Sequence, residues 1–305
     1  MSLWWVRTLV RLVVALLLPL SVPCIIVYLI WALPGDPASL ICPPELCPNT
    51  DALAARWNLD QGPWHFFASW LGAAMEGDFG RSWRLEPGAM VAERVTESIG
   101  PTLLLVAGAG LLNALGAFGA LTGTLPRRSH VVFQLVGLVP SLVWALSASA
   151  AITLGWIGDG SGALGLRLIL GALVLGLSDA ALYSTVNGVH GLVQSERKQR
   201  YAQIAVLRGE GVLSNVLPNM LPALAGQLRA RVVHLLSGAV VVEVVLEIDG
   251  LGDLLWRGAL QQDFVVVVAT AFFFSLMSAS VLLAQAFVEL VCALLVRRAP
   301  QVEVA

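Results

Sequence analysis

The sequence predicts an all-α membrane protein, with six transmembrane helices and a long extracytoplasmic loop after the first. Three observations carry this. Of the 305 residues, 57% are hydrophobic and only 12% are charged, about half the charged fraction of a soluble domain. Mean hydropathy is +0.81. The apolar residues gather into stretches long enough to cross ~30 Å of hydrocarbon at ~1.5 Å per residue. The net charge of −2 gives no electrostatic case for nucleic acid. Four cysteines in a chain this size do not make a disulfide framework.

The first apolar segment, 9–33, follows Arg7 and Arg11. It is too long for the ~7–15 apolar residues of a signal peptide, and no small-x-small cleavage site follows it, so it reads as a membrane helix. Pro19 and Pro23 inside it predict a kink. Residues 34–97 are polar and turn-rich, beginning with Pro34-Gly35-Asp36-Pro37. The aromatics of this loop (Trp57, Trp64, Phe66, Phe67, Trp70, Phe79 and Trp83) are of a kind that settles at a membrane interface. A short amphipathic helix over Trp64–Met75, lying on the membrane surface, is expected. Membrane helices follow at about 98–125, 131–156, 164–189 and 264–296. The last exceeds what a span needs and is expected to tilt or project. A further one, 223–246, is interrupted by Arg229, Arg231, His234 and Glu243.

Orientation follows from Arg and Lys. With the N-terminus inside, the inner segments hold Arg7, Arg11, Arg127, Arg128, Arg197, Lys198, Arg200, Arg208, Arg297 and Arg298. The outer ones hold Arg56, Arg81, Arg84, Arg94 and Arg257, four of them in the long loop, where charge counts least. Both termini and the segment 196–222 are therefore expected in the cytoplasm.

Residues 201–216 read as one amphipathic helix, with Ala205, Leu207/Arg208, Val212 and Val216 on one side and Pro218 as its stop. Its apolar stripe needs either the bilayer surface or a partner protein. Gly209 marks a bend or a close backbone approach. Ionisable residues inside helices are expensive and should face the interior. These are Asp179, Arg229, Arg231, His234 and Glu243. At ~100° per residue Arg231 and His234 share one face, and Arg229 and Glu243 another. One reading is an Asp179–Arg pair that fixes helix packing. The other has Arg231 and His234 lining a path and meeting a substrate carboxylate. Cys42 and Cys47 either pair, as an oxidising compartment permits, or stay free; Cys24 and Cys292 are small apolar residues within helices. The four histidines, His65, His130, His190 and His234, have no metal spacing. No G-x-x-x-x-G-K-[ST] phosphate loop is present, so this chain should not hydrolyse ATP. Gly158–Ser161 reads as a turn and not as a nucleophile elbow.

Several separated motifs coincide with one family. Pro34-Gly35-Asp36-Pro37 follows the first helix. Asn58-Leu59-Asp60-Gln61-Gly62-Pro63 and Gly77-Asp78-Phe79-Gly80-Arg81-Ser82 come next. Gly238-Ala239-Val240-Val241-Val242-Glu243, Gly250-Leu251-Gly252 and Asp263 close the series. In order and spacing the chain resembles the B-type integral membrane subunit of ATP-binding-cassette importers of the dipeptide, oligopeptide and nickel class. Tyr201, Ala205 and Gly209, with Pro218 and Pro222, resemble the family's cytoplasmic coupling loop, which docks on the ATPase. The chain departs from the pattern at Arg200, usually acidic, at Asp249 and Val265, usually proline, and in a shorter interval between Gly209 and Pro218.

The resemblance implies the type I importer permease fold in a bacterial inner membrane. It implies a second homologous permease as heterodimer partner, two ATP-binding subunits carrying ATP and Mg, and an extracytoplasmic solute-binding protein. No cofactor or metal is expected on this chain. Transport would proceed by alternating access, with short peptides as cargo. Nickel chelates, glutathione or another small solute are the alternative cargo. An ion-coupled carrier or intramembrane enzyme is the alternative of another class, although the internal repeat common in carriers is not seen.

Overall fold

The computed structural model describes residues 2–34, 37–41, 51, 54–55, 59–155 and 163–298. Gly35, Asp36, the Cys42–Cys47 pairing, Trp57 and the Gly158–Ser161 turn lie outside the described residues. Among the described residues no strand forms; a single antiparallel bridge joins Arg81 to Met90. The helices are α1 (Ser2–Ala32), α2 (Pro37–Ile41), α3 (Pro63–Met75), α4 (Val91–Thr122), α5 (Arg127–Gly137), α6 (Ser141–Thr153), α7 (Ala163–Leu177), α8 (Ala181–Arg197), α9 (Arg200–Leu207), α10 (Val212–Leu246), α11 (Leu251–Leu260) and α12 (Phe264–Arg298).

Three helices are long and apolar enough to cross a membrane, within Leu9–Ala32, Val91–Thr122 and Phe264–Cys292. The number rises to five if each of two bent pairs is one span. Helix α10 is 35 residues long but carries Arg229, Arg231 and Glu243, which lowers its apolar character. Outward-facing Leu9, Leu16, Leu29, Leu104, Leu111 and Phe118 are exposed. Such a display fits a lipid-facing surface and not a water-facing one.

Two segments expected to be single helices are broken. The stretch 131–156 is α5 and α6, meeting at 83°, and 164–189 is α7 and α8, meeting at 47°. Pro140 supplies no backbone N–H at the first break. At the second, Asp179 and Ala180 take left-handed φ values of 50° and 55°, a conformation non-glycine residues adopt only under constraint. The breaks lie against each other. The Ala180 N–H donates to the Gly137 carbonyl (2.8 Å), the Asp179 N–H to the Val139 carbonyl (3.5 Å), and the Ser141 N–H to Asp179 Oδ1 (3.3 Å). Each break thereby satisfies polar groups that the other frees, which irregular backbone inside a membrane requires.

Helix α10 also departs from expectation. It begins at Val212 rather than 223 and runs through Pro218 and Pro222. Pro218 therefore does not stop a helix. It is exposed, as is Ser214 four residues earlier, so water can hydrate the carbonyl that proline leaves unpaired. The break falls instead at Gly209, whose φ is +72°. Residues 201–216 are thus two helices and not one.

Helix α3 forms where expected, and its apolar face turns to the protein. Phe66, Phe67 and Trp70 are buried in a core shared with Val27 and Ile30 of α1, Val91 and Val95 of α4, Leu254 of α11 and Val268 of α12. Trp70 meets Phe272 edge-on at 5.9 Å between ring centroids, and Phe79 lies 5.0 Å from Phe273. Trp64, by contrast, is exposed. The aromatics fold inward because α3 finds an apolar face on α1 and α12, and burial of a large ring stabilises by about 1.5–3 kcal/mol.

Helix α10 runs through the middle of the packing, against α4, α6, α7, α8, α9, α11 and α12. Glycines allow close approach between α4 and α7: a Cβ on Gly171 would lie 2.7 Å from the Leu105 side chain, and one on Gly108 2.9 Å from Ala172. Small residues serve membrane helices in this way because lipid offers no competing hydrophobic drive.

Candidate functional site

Two buried carboxylates organise the end of the molecule where α10, α11 and α12 turn. Glu243 is fully buried. Its Oε1 accepts from Thr102 Oγ1 at 2.7 Å; its Oε2 accepts from the Gly252 N–H at 2.7 Å and the Asp253 N–H at 3.2 Å. The Thr102 hydroxyl in turn accepts from the Leu251 N–H at 2.8 Å. The carboxylate thus covers the first turn of α11, where unpaired N–H groups and the helix dipole favour negative charge. Gly250 and Gly252 are required here: a Cβ on Gly250 would sit 2.4 Å from the Glu243 carboxylate, and one on Gly252 2.6 Å from the Val240 Cα. On this helix, outside the core, burial raises the Asp253 carboxyl above its usual range while Arg257 opposes the shift.

Asp263 is also fully buried. Its Oδ2 accepts from Ser82 Oγ at 2.6 Å and from the backbone N–H groups of Trp83, Arg84 and Leu85 at 2.9, 3.0 and 3.1 Å. Its Oδ1 faces the Val266 N–H at 3.5 Å, at the start of α12. Two motifs 181 residues apart thereby close on each other. Gly80, at φ +86°, has no room for a Cβ, which would fall 2.9 Å from Val265. Gly77 is likewise left-handed at φ +87°, and exposed Asp78 accepts from the Gly80 N–H at 2.8 Å. Pro34 is exposed past the end of α1, and Pro37 is buried at the start of α2.

At the opposite end lies α9. Ala202 is buried against Val193, Val216 and Met220, and Ala205 is buried too. The Tyr201 hydroxyl donates to the Glu196 carboxylate; burial, then that carboxylate, raises its phenol above the usual range. The outer side of the same short helix is uncovered and mixes apolar residues with Arg200 and Gln203. Leu207 is 86% exposed, Val206 55% and Ile204 48%. Sequence reasoning placed Ala205 on the outer stripe; the structure turns it inward, because Gly209 ends α9 and α10 starts a new axis.

The intramembrane ionisable residues separate. Asp179 sits at the paired helix breaks and forms no ion pair among the described residues, so the expected Asp179–Arg pair is absent there. Arg231 lines a cavity of about 540 Å³ together with Asn113, Ser184, Thr185 and Gln227. His234 and Arg229 are half-buried on α10 and are not among its lining residues. Asn113 ties three helices: its Nδ2 donates to the carbonyls of Ala109 and Gly176, and its Oδ1 accepts from Thr185 Oγ1 at 3.0 Å. His130 and His190, scattered in sequence, come to 5.7 Å between ring centroids. Among the described residues no group of three or more metal-ligating side chains forms.

Sequence reasoning missed Thr102, Ser82, Asn113 and Ser184. A lone hydroxyl or amide within an apolar helix is the signal that would have flagged Thr102 and Asn113. Ser82 lay within a quoted motif without a role.

The family model described as binding-protein-dependent transport system inner membrane component matches residues 112–290. The glutathione transport system permease protein GsiC of Shigella boydii (strain Sb227) is 28% identical over 272 residues, covering 84% of this chain and 88% of the relative. Its counterpart in Escherichia coli (strain K12) gives the same identity and coverage. The oligopeptide transport system permease protein AppB of Bacillus subtilis (strain 168) is 27% identical, over 78% of this chain and 82% of the relative. The chain belongs to the binding-protein-dependent transport system inner membrane components, the permease subunits of ATP-binding-cassette importers of the peptide and nickel class.

Proposed function

We propose that this chain is the B-type permease subunit of an importer of short peptides in a bacterial inner membrane. It crosses the membrane six times with both termini in the cytoplasm and pairs with a second, homologous permease. Two ATP-binding subunits holding ATP and Mg lie below, and a solute-binding protein docks on the outer loops. This chain binds no cofactor of its own. The observation that carries the reading is α9. An eight-residue helix with its inner face packed on α8 and α10 and Ile204, Val206 and Leu207 bare on its outer side is shaped to enter a groove on a partner. ATP-driven closure of the ATPases would push on Tyr201, Ala205 and Gly209, and α10, continuous through Pro218 and Pro222, would carry that push into the membrane. Glu243 and Asp263 would hold the outer gate region rigid while the helices tilt.

A glutathione-type tripeptide is the second reading, supported by the glutathione permeases at 28% identity. The test is purification of the chain with its partners from native membranes, then reconstitution in vesicles with the solute-binding protein. ATP-dependent uptake of peptides that requires the binding protein is the expected result. Competition with glutathione separates the two cargo readings. Uptake driven by an ion gradient without ATP would sink both and favour a carrier.

A further inference from the structure

Arg231 poses a problem that the importer reading does not solve by itself. It lies near the middle of α10, about 28 Å along the axis from Val212 at ~1.5 Å per residue. A half-buried cation needs a counter-charge or water. Its guanidinium donates to Ser184 Oγ, and its Nε is buried without a partner. Among the described residues no carboxylate lies within ion-pair distance of it. The nearby acids are committed elsewhere: Glu243 to the start of α11, Glu289 to Arg11 and Gln285, Asp179 to Ser141.

The group that faces this unmatched cation is a cavity of about 540 Å³, within the range of small-molecule sites. Its walls are mostly apolar, and Ser184, Thr185, Gln227 and Asn113 are polar residues on them. Apolar walls around one fixed charge and a few polar groups are the composition of a site that orients an amphiphilic ligand. Arginine's planar fork matches a carboxylate in two parallel hydrogen bonds. A lipid phosphate offers the same chemistry, and lipid retention by the purified complex separates the two.

We propose that Arg231, with Ser184 beside it, is the receptor for a carboxylate of the solute as it crosses. This rests on the importer reading, and it names the cargo chemistry that the permease itself selects: a free carboxylate on a small, partly apolar molecule. His234 has no part in it.

The experiment compares uptake of a tripeptide with its C-terminal amide by the reconstituted complex, for wild type, Arg231→Gln, Arg231→Lys and Ser184→Ala. For R231Q, uptake of the free acid falls about tenfold or more, the worth of a charged hydrogen bond, while the amide changes less than about twofold. R231K recovers part of the free-acid rate, and S184A raises KM more than it lowers kcat. Equal losses for acid and amide overturn the proposal. Retention of anionic phospholipid by wild type and its loss from R231Q, without discrimination between the peptides, also overturns it in favour of a lipid site. A cargo-independent arm uses acetate and acetamide on the purified complex. Acetate raises the Tm of wild type by about 1 °C or more and leaves R231Q unmoved, and acetamide moves neither. The same acetate shift in both proteins overturns the site. Should wild type import neither peptide, the peptide reading fails while the acetate arm still decides the site. If R231Q does not assemble, R231K and S184A carry both arms.

Discussion

Glu243 and Asp263 are alike in burial and differ in what they hold. Glu243 serves one helix start and one hydroxyl; Asp263 gathers four donors on a single oxygen. A buried donor left without an acceptor costs about 1–3 kcal/mol. Glu243→Ala strands the Gly252 and Asp253 backbone N–H groups, so the expected loss is about 2 kcal/mol or more, read as a lower Tm of the purified chain in detergent. Glu243→Gln is milder. Its amide oxygen can keep the Gly252 and Asp253 N–H groups, its NH2 can donate to Thr102, and the threonine proton has a second acceptor in the Ser98 carbonyl at 3.3 Å. A loss of about 1 kcal/mol or less is expected, and equal destabilisation by both variants would count against the network. Asp263→Ala removes the acceptor for Ser82 through Leu85, so about 3 kcal/mol or more is lost. Limited proteolysis near residue 84 should accelerate with it.

At the scale of elements, α9 and the helix breaks carry the predictions. A Cβ on Gly209 meets nothing within 4 Å, yet its φ of +72° disfavours any other residue. Gly209→Val therefore strains backbone without a clash, by about 1–2 kcal/mol. The expected result is an assembled complex in which ATP hydrolysis continues and uptake falls; unchanged uptake would remove Gly209 from the coupling path. Leu207→Asp alters a side chain that touches almost nothing in this chain, so stability should stay within about 0.5 kcal/mol. Recovery of ATPase subunits on pull-down should drop several-fold, and full recovery would mean that α9 is not the docking element. At the breaks, Gly137→Val would put a Cβ 2.7 Å from the Ala180 backbone. It should lower expression of folded protein more than the same change at the open position Gly110.

The whole molecule is held by helix α1 along α12 and by α10 through the centre. The stripe Ala15, Pro19, Pro23, Val27 and Ile30 turns inward on α1, and Arg11 pairs with Glu289 near the far end of α12. Removing either partner alone leaves a half-buried charge unmatched, so Arg11→Ala should destabilise more than the Arg11→Ala/Glu289→Ala double variant. A double-mutant cycle on Tm checks this; additive single effects would mean the pair contributes nothing.

Class and family were legible without coordinates. A hydropathy of +0.81 leaves only the bilayer as solvent, and the order of short motifs from Pro34 to Asp263 carried the family resemblance. The bend at Gly209 was legible too, since glycine takes a left-handed φ at the least steric cost; Gly80 and Gly250 entered only as motif residues. The breaks at 138–140 and 178–180 were not. Hydropathy averages over a window and is blind to two left-handed residues, and what stabilises each break is the other, 40 residues away in sequence. Nor were the pairings of Glu243 with Thr102, Asp263 with Ser82, or Arg231 with Ser184. The sequence by itself determined that the chain is an all-helical membrane protein, because oil leaves the backbone little other choice. Only the tertiary structure decided which buried charge is answered inside the chain and which, at Arg231, is left for a ligand, because that depends on distances between helices that no spacing along the chain encodes.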